Sequence, residues 1–306
     1  MPALDGLLIV DKPPGWTSHD VVGRCRRLAH TRKVGHAGTL DPMATGVLVV
    51  GVARATRLLG HLALSDKAYD ATIRFGQSTV TDDAQGEVLT EHDASGIDHD
   101  ALTGVLSGLT GDIEQVPAAV SAIKIGGQRA YRRVRAGEDV ALAPRRVTVW
   151  ELSLVSVRRI GPLLDADVHA ECSTGTYVRA LARDAGRALG VGGHLTMLRR
   201  TRVGPYGVQA ARTLDQLEHQ LAVVTLEEAV ADNFATYTVA ADQVLAVSNG
   251  RALDVTLGVA GPVAVLAPSG EFLALYQQSG TVAKAVAVFS PAVSTSRVDG
   301  DHIDGV

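Results

Sequence analysis

The chain has 306 residues, 46% of them apolar and only 4% aromatic, with a formal net charge of −4. That is enough apolar material for one large domain and a smaller one, with cores built mainly from Val, Leu and Ala. No stretch approaches the roughly 20 uninterrupted apolar residues of a membrane span, residues 1–12 lack the pattern of a secretory signal, and two cysteines, Cys25 and Cys172, are too few for a disulfide framework or a Cys-based zinc site, so the expectation is a cytoplasmic protein with reduced thiols and no membrane contact.

In chain order, the apolar run at 7–10 predicts a short strand, and Lys12-Pro13-Pro14-Gly15 a turn. Ser18 is expected to cap a helix reaching Ala29, because Val21, Val22, Cys25 and Leu28 have helical spacing. Residues 46–52 read as a buried strand, 53–64 as a helix, 67–76 as an alternating strand, and 77–90 as a polar link into another strand. Residues 98–109 predict a helix with Asp98 at its cap, and 122–137 a strand, a Gly-Gly turn and a basic helix. Two strands expected to pair follow at 145–159 and 163–174. A helix over 175–190 should end at Gly190, followed by a basic turn and strand at 192–208. Strands and helices mix without a regular βαβ repeat, which predicts an α+β fold with a mostly antiparallel sheet. Residues 213–233 read as connecting helices. From 237 the chain turns to short alternating strands and glycine turns, so the expected domains are 1–233, a small β-rich domain at 234–290, and a polar tail at 291–306 expected to be disordered.

The small net charge conceals a segregation. Residues 12–74 carry ten bases against four acids, 75–119 carry no base, 120–160 and 170–212 are again arginine-rich, and the chain from 213 onward has three bases against eleven acids. Clustered arginine fits a polyanionic partner, since each phosphate contact releases counterions; the alternative is arginines scattered over solvated faces.

Asp41 is the first candidate for chemistry. In GHAGTLDPMATGVLVVGV, residues 35–52, Gly35 and Gly38 bracket His36, Asp41 stands directly before Pro42, and an apolar run follows. A residue before proline is pushed toward extended backbone angles, and the glycines permit close approach of a ligand. Such a carboxylate can be a nucleophile, a base or a metal ligand, or merely open an Asp-Pro turn. A metal is poorly supported: there is no HExxH, no paired CxxC and no tight His/Asp cluster. No P-loop, GxSxG or dinucleotide fingerprint competes. Arg179, after Gly175-Thr176-Tyr177-Val178 at a strand-to-helix junction, could grip an acid in two-pronged fashion and keep it ionised and aimed. Tyr69 lies in a strand pattern, where it either packs in the core or offers a stacking surface for a base. Lys12 and Asp83 are weaker candidates, as solvated turn residues.

The joint pattern goes further. LLIVDKPPGWTSHDVV, KVGHAGTLDPMATGVLVVGVARATRLL, SDKAYDATIRFG, QVPAAVSAIKIGGQRAYRRVRAG, CSTGTYVRALARDAG and GGHLTMLRRTRVGPY occur in this order. Over residues 6–210 the chain resembles the bacterial TruB-type tRNA pseudouridine synthases. The resemblance implies an isomerase acting on the uridine at position 55, in the T loop of tRNA, with no metal and no organic cofactor, on the pseudouridine synthase fold; separately, a monomer that requires no protein partner is expected. The resemblance also implies that Asp41 is the catalytic aspartate, that Tyr69 packs against the target base and that Arg179 pairs with Asp41. His36 would accommodate the flipped RNA, Lys12 would be the lysine of the DKP turn, and Tyr177 would join the RNA contacts. Asp83 aligns with an acid that partners the arginine and is placed with the RNA-contacting residues, although Val80 stands where many members carry another acid. The C-terminal stretch resembles a small PUA-type RNA-binding domain, with an acidity that argues against a strong phosphate grip. Rival readings are a tRNA-binding folding chaperone with little catalysis, a guide-RNA-dependent relative, and an Asp-dependent phosphate-ester hydrolase.

Overall fold

The computed structural model describes residues 4–118 and 142–289, together with the backbone of two short strands between them. The basic helix expected before residue 137 and the tail at 291–306 lie outside the described residues. The chain forms two compact units that part between Val223 and Val224.

In chain order the first unit contains β1 (Gly6–Lys12), α1 (Ser18–Leu28), β2 (Val34–Ala37), β3 (Thr45–Val52), a 3-10 turn (Ala53–Arg57), α2 (Leu59–Leu62), β4 (Lys67–Phe75), β5 (Gln77–Thr79), β6 (Val88–Glu91), α3 (His99–Gly108), β7 (Gly111–Gln115), β8 (Lys124–Ile125), β9 (Gln128–Arg129), β10 (Arg145–Ile160), β11 (Leu163–Cys172), α4 (Val178–Ala188), β12 (Gly193–Val203), β13 (Tyr206–Gly207) and α5 (Leu214–His219). Among the described residues the main sheet runs β1-β3-β12-β4-β11-β10-β7, with β2 added on β3 and β13 on β12. Neighbours are antiparallel except β3 and β12, which run parallel at Arg199↔Thr45 and Arg200↔Gly46. This is the expected α+β fold with a mostly antiparallel sheet.

Alternation divides the sheet by face. Tyr69, Ala71, Ile73 and Phe75 of β4 bury against Leu102 and Leu106 of α3 and Leu181, Ala182 and Ala185 of α4. The opposite face of β4 is polar: Arg74 holds Asp165 through two hydrogen bonds of 2.7 and 2.9 Å, and Thr72 bonds Asp167 at 2.7 Å, in the register β4 shares with β11. A second core joins Leu8 and Val10 of β1 and Leu48 and Val50 of β3 to Val21, Val22 and Cys25 of α1 and Leu214 and Leu217 of α5. Because β3, β12 and β4 lie side by side, the loop before β3, Arg200 and Tyr69 converge on one place.

Two local expectations are corrected. The cap of α1 is Thr17, whose side chain accepts from the Asp20 amide while the Asp20 carboxylate accepts from Thr17, a reciprocal capping box. The helix expected over 53–64 is instead a 3-10 turn and a single helical turn, since Val52 and Leu58 offer no side-chain cap to either. Among the described residues no helix is long and apolar enough to cross a membrane.

The second unit comprises α6 (Leu226–Asn233), β14 (Ala235–Thr238), α7 (Val244–Ser248), β15 (Val263–Leu266), β16 (Phe272–Ser279) and β17 (Val282–Val288). Its sheet runs β14-β15-β16-β17 over a core that includes Val247, Leu253, Val265, Leu273 and Tyr276. The unit begins before the expected boundary at 234 because α6 buries Leu226, Ala229 and Val230 and packs against β16.

Candidate active site

The loop carrying Asp41 is tied down on both sides. The Ser18 hydroxyl donates to Leu40 O at 3.0 Å and accepts from Leu40 N at 2.8 Å, so the first residue of α1 holds the residue before Asp41. Pro42 O accepts from Gly15 N at 2.8 Å and from Lys12 Nζ at 3.2 Å. Ala44 N closes a turn back to Asp41 O at 3.1 Å, and β3 then enters the core with every residue from Gly46 to Val52 buried. Gly38 has φ +81° and Gly46 φ +97°, and a Cβ on Gly46 would sit 2.2 Å from Arg200 O, so both backbone positions demand glycine. Gly35 differs from the expectation of ligand approach: its missing Cβ makes room for Leu59 Cδ1, which would lie 2.9 Å away.

Arg179, in the first turn of α4, brings Nε to 2.9 Å from Asp41 Oδ2, with side-chain exposures of 5% for the arginine and 36% for the acid. The acid is therefore reachable while its partner is not. The same guanidinium also donates through Nη1 to Thr81 O at 2.7 Å and lies 3.6 Å from Asp83 Oδ2. Asp83 is itself fixed, accepting on Oδ1 from Thr81 Oγ1 at 2.5 Å and from Gln85 N at 3.0 Å.

Asp41 and Arg179 open onto a cavity of about 290 Å³ lined also by Thr39, Lys67, Tyr69, Tyr177, Leu198 and Arg200, at the small end of the range for ligand pockets. Tyr69 is 6% exposed and stands opposite Arg200 in the β4–β12 register. Burial raises its phenol above the ordinary tyrosine value, which keeps it protonated at neutral pH. Tyr177 is half-buried at the cap of α4, where Gln115 clamps its backbone, accepting from Tyr177 N at 2.8 Å and donating to Tyr177 O at 3.1 Å. A larger depression of about 680 Å³ is lined by Trp16, Arg24, Arg199 and Asp11. Its acid is already consumed, both Asp11 oxygens being bound by Arg199 at 3.1 and 2.7 Å.

The structure thus brings Asp41, Tyr69, Tyr177 and Arg179 together at one cavity. Lys12 and Asp83 lie elsewhere than an RNA contact requires, with 0% and 4% exposure. The Lys12 ammonium donates to Pro13, Trp16 and Pro42 carbonyls, and its pKa falls to about 8, first through burial. Both residues support the site from beneath. His36 sits half-buried on β2, where burial first, and then the charge of Arg200, hold its pKa below the usual value. Sequence reasoning missed Ser18 as a loop anchor, Gln115, Lys67 and Arg200. Lys67 could have been found, because period-two alternation places it on the same face as Tyr69. Among the described residues no group of three or more His, Cys, Asp or Glu could hold a metal ion.

Comparison with known proteins agrees over most of the chain. Residues 26–178 match the description "TruB family pseudouridylate synthase (N terminal domain)", residues 179–244 "tRNA pseudouridylate synthase B C-terminal domain", and residues 234–290 "tRNA Pseudouridine synthase II, C terminal". The tRNA pseudouridine synthase B of Arthrobacter sp. (strain FB24) is 54% identical over 299 residues, covering 94% of this chain and 98% of that protein. The protein of the same name from Cutibacterium acnes is 58% identical over 275 residues, covering 89% and 92%. A chain from the crystal structure of a Cbf5-Nop10-Gar1 complex superposes with a TM-score of 0.73 at 26% identity, covering 94% of this chain and 85% of that one. With an exposed aspartate held by a buried arginine at a tyrosine-walled cavity, and with relatives this close, the chain belongs to the TruB family of pseudouridylate synthases.

Proposed function

We propose that this pseudouridine synthase converts uridine 55, in the T loop of tRNA, into pseudouridine, with Asp41 as nucleophile or base and with neither metal nor organic cofactor. Pseudouridine formation in tRNA is the activity its close relatives are named for. The choice of Asp41 is carried by one observation: it is a half-open acid at the cavity mouth, 2.9 Å from a buried arginine. The uracil must first leave its stack, at a cost of a few kcal/mol. Tyr69 replaces lost stacking, worth roughly 1–3 kcal/mol per base, and His36 and Tyr177 border the path of the flipped nucleotide. Arg179, shared between Asp41, Thr81 and Asp83, aims the carboxylate. Asp41 then bonds to the sugar C1′, adds to the ring C6, or takes the C2′ proton. The glycosidic C1′–N1 bond breaks, the base rotates, C5 bonds to C1′ as the bond to Asp41 breaks or the C2′ proton is returned, and the C5 proton leaves while N1 takes one up, so the product is an isomer and no oxidant or energy source is consumed.

Action as a monomer in the cytoplasm is part of this reading, in which Asp41, Tyr69, Tyr177 and Arg179 meet at one cavity of a single chain. The second unit serves as an accessory PUA-like RNA-binding domain. Within residues 224–289 it carries six acids against two bases, Arg251 and Lys284, so its contacts do not rest on phosphate charge. The test is tritium release from unmodified tRNA labelled with [5-³H]uridine, comparing wild type and Asp41→Asn with no metal or cofactor added. Release by wild type alone, close to stoichiometric with tRNA, supports the reading. Intact tRNA binding with no release by either protein refutes it and favours the chaperone.

A further inference from the structure

Arg200 heads the fully buried side chains among the described residues, at 1% exposure. Its Nε donates to Val47 O at 2.7 Å and its Nη2 to Gly38 O at 3.1 Å, and it lines the cavity opposite Tyr69 in the strand register. Both acceptors are neutral, and among the described residues Arg200 enters no ion pair, whereas Arg179 faces Asp41 and Asp83. Hydrogen bonding is thus satisfied but the charge is not, an arrangement that is costly in a buried site unless something negative arrives. The charge is felt around it: Arg200 disfavours the protonated forms of Lys12, His36 and Lys67, after burial as the larger cause, and opposes the rise of the Tyr69 phenol. Lys67, 6% exposed, repeats the pattern, with its ammonium on Ala63 O at 3.1 Å and Ser65 O at 2.6 Å and a pKa of about 8 that leaves it charged at neutral pH. Beside Arg179, the cavity therefore has two further buried cations in its wall, while its own acid is already engaged by Arg179.

The substrate supplies the missing charge only while it reacts. Uracil is neutral in the nucleoside. When C1′–N1 breaks, the electron pair passes to the ring and spreads over N1, O2 and O4, as Asp41 bonds to C1′ or takes the C2′ proton. When Asp41 adds to C6 instead, the C5=C6 pair moves to C5 and O4. The pair is returned as C5 bonds to C1′, the bond to Asp41 breaks or the C2′ proton goes back, and the C5 proton leaves as N1 takes one up. Every route makes the ring transiently anionic, so a fixed positive wall favours the transition state over the ground state.

We propose that Arg200, fixed in the cavity wall by the two carbonyls it holds, keeps a surplus positive charge beside the uracil and, together with Lys67, stabilises the anionic ring during glycosidic cleavage. This rests on the function proposed above. The test uses T stem-loop RNA carrying either uridine or 5-fluorouridine at the target position, with single-turnover consumption of that nucleoside as the readout. Fluorine makes the departing ring more acidic, so it relies less on the protein's charge. Arg200→Gln is expected to slow the uridine reaction by roughly 10²–10³-fold and the 5-fluorouridine reaction by at least about tenfold less, with RNA affinity changed by less than about threefold. Arg200→Lys, which keeps the charge but not the fork, should recover part of the uridine rate. Equal losses on the two substrates, or no loss, overturn the inference, since a residue that only shapes the loop slows both alike. Should Arg200→Gln lose its circular dichroism signal, Lys67→Met undergoes the same comparison with the same decision. A wild type inert on uridine overturns the proposed function itself, whereas an active wild type with equal losses overturns only the role of Arg200.

Discussion

Replacing Ser18 by alanine removes one hydroxyl and two hydrogen bonds, both to Leu40. Ser18 is 2% and Leu40 3% exposed, so water does not replace the hydroxyl, and a buried N–H and C=O lose their partner. Leaving such groups unsatisfied costs about 1–3 kcal/mol, and with about 2 kcal/mol as the central value the melting temperature should fall by roughly 4–8 °C for a unit of this size. Because Leu40 immediately precedes Asp41, the acid should also lose its aim, and displacements near 1 Å can cost about 10²-fold in rate. The neighbouring Thr17→Ala is the control. It removes an exposed helix cap worth about 1 kcal/mol but touches nothing in the loop, so its melting temperature should fall modestly with turnover unchanged. Thermal melts and tritium release on the two variants decide the matter. If Ser18→Ala melts within a degree of wild type, or if both variants lose turnover equally, the loop-anchor argument is wrong.

Gly46→Ala puts a Cβ against Arg200 O at 2.2 Å in a backbone with φ +97°, between two paired strands that cannot part; the cost should exceed about 4 kcal/mol, seen as loss of soluble, cooperatively melting protein, and a well-folded variant would contradict the register. Lys12 and Lys67 titrate near 8 when folded, against 10.5 as their ordinary value. From about pH 8 to 9 these lysines leave the unfolded chain with more bound protons, so stability should rise, while above 9 Cys25 and Cys172, raised by burial from 9.0 to about 11, oppose the rise. Urea melts across that window check the sign, and Lys67→Met should flatten the slope.

Some of the site was legible before folding was considered. The acid before proline, the glycine-loosened loop and the buried strand after it are local signals, and they placed Asp41 on a rim. Arg179 at a strand-to-helix junction was legible as a partner for an acid, though its sharing with Thr81 and Asp83 was not. Thr17 and Ser18 show where local reading ends. Both hydroxyls fit a cap, and the choice was made by Leu40, which lies 22 residues away and occupies one of them. Arg200 shows it more strongly. In RRTR it resembles a solvated charge, yet its acceptors Val47 and Gly38 are 153 and 162 residues distant in sequence.

The sequence by itself determined what depends on near neighbours: the alternating strands, the helical faces, the turns that need glycine or proline, and the motif that identifies the family. Tertiary structure alone decided which charges are buried and what satisfies them, because a charge can be held inside only by groups that the fold brings to it. That is why Lys12 and Asp83 became supports, Lys67 and Arg200 became part of the cavity wall, and Asp41 stayed half open beside Arg179.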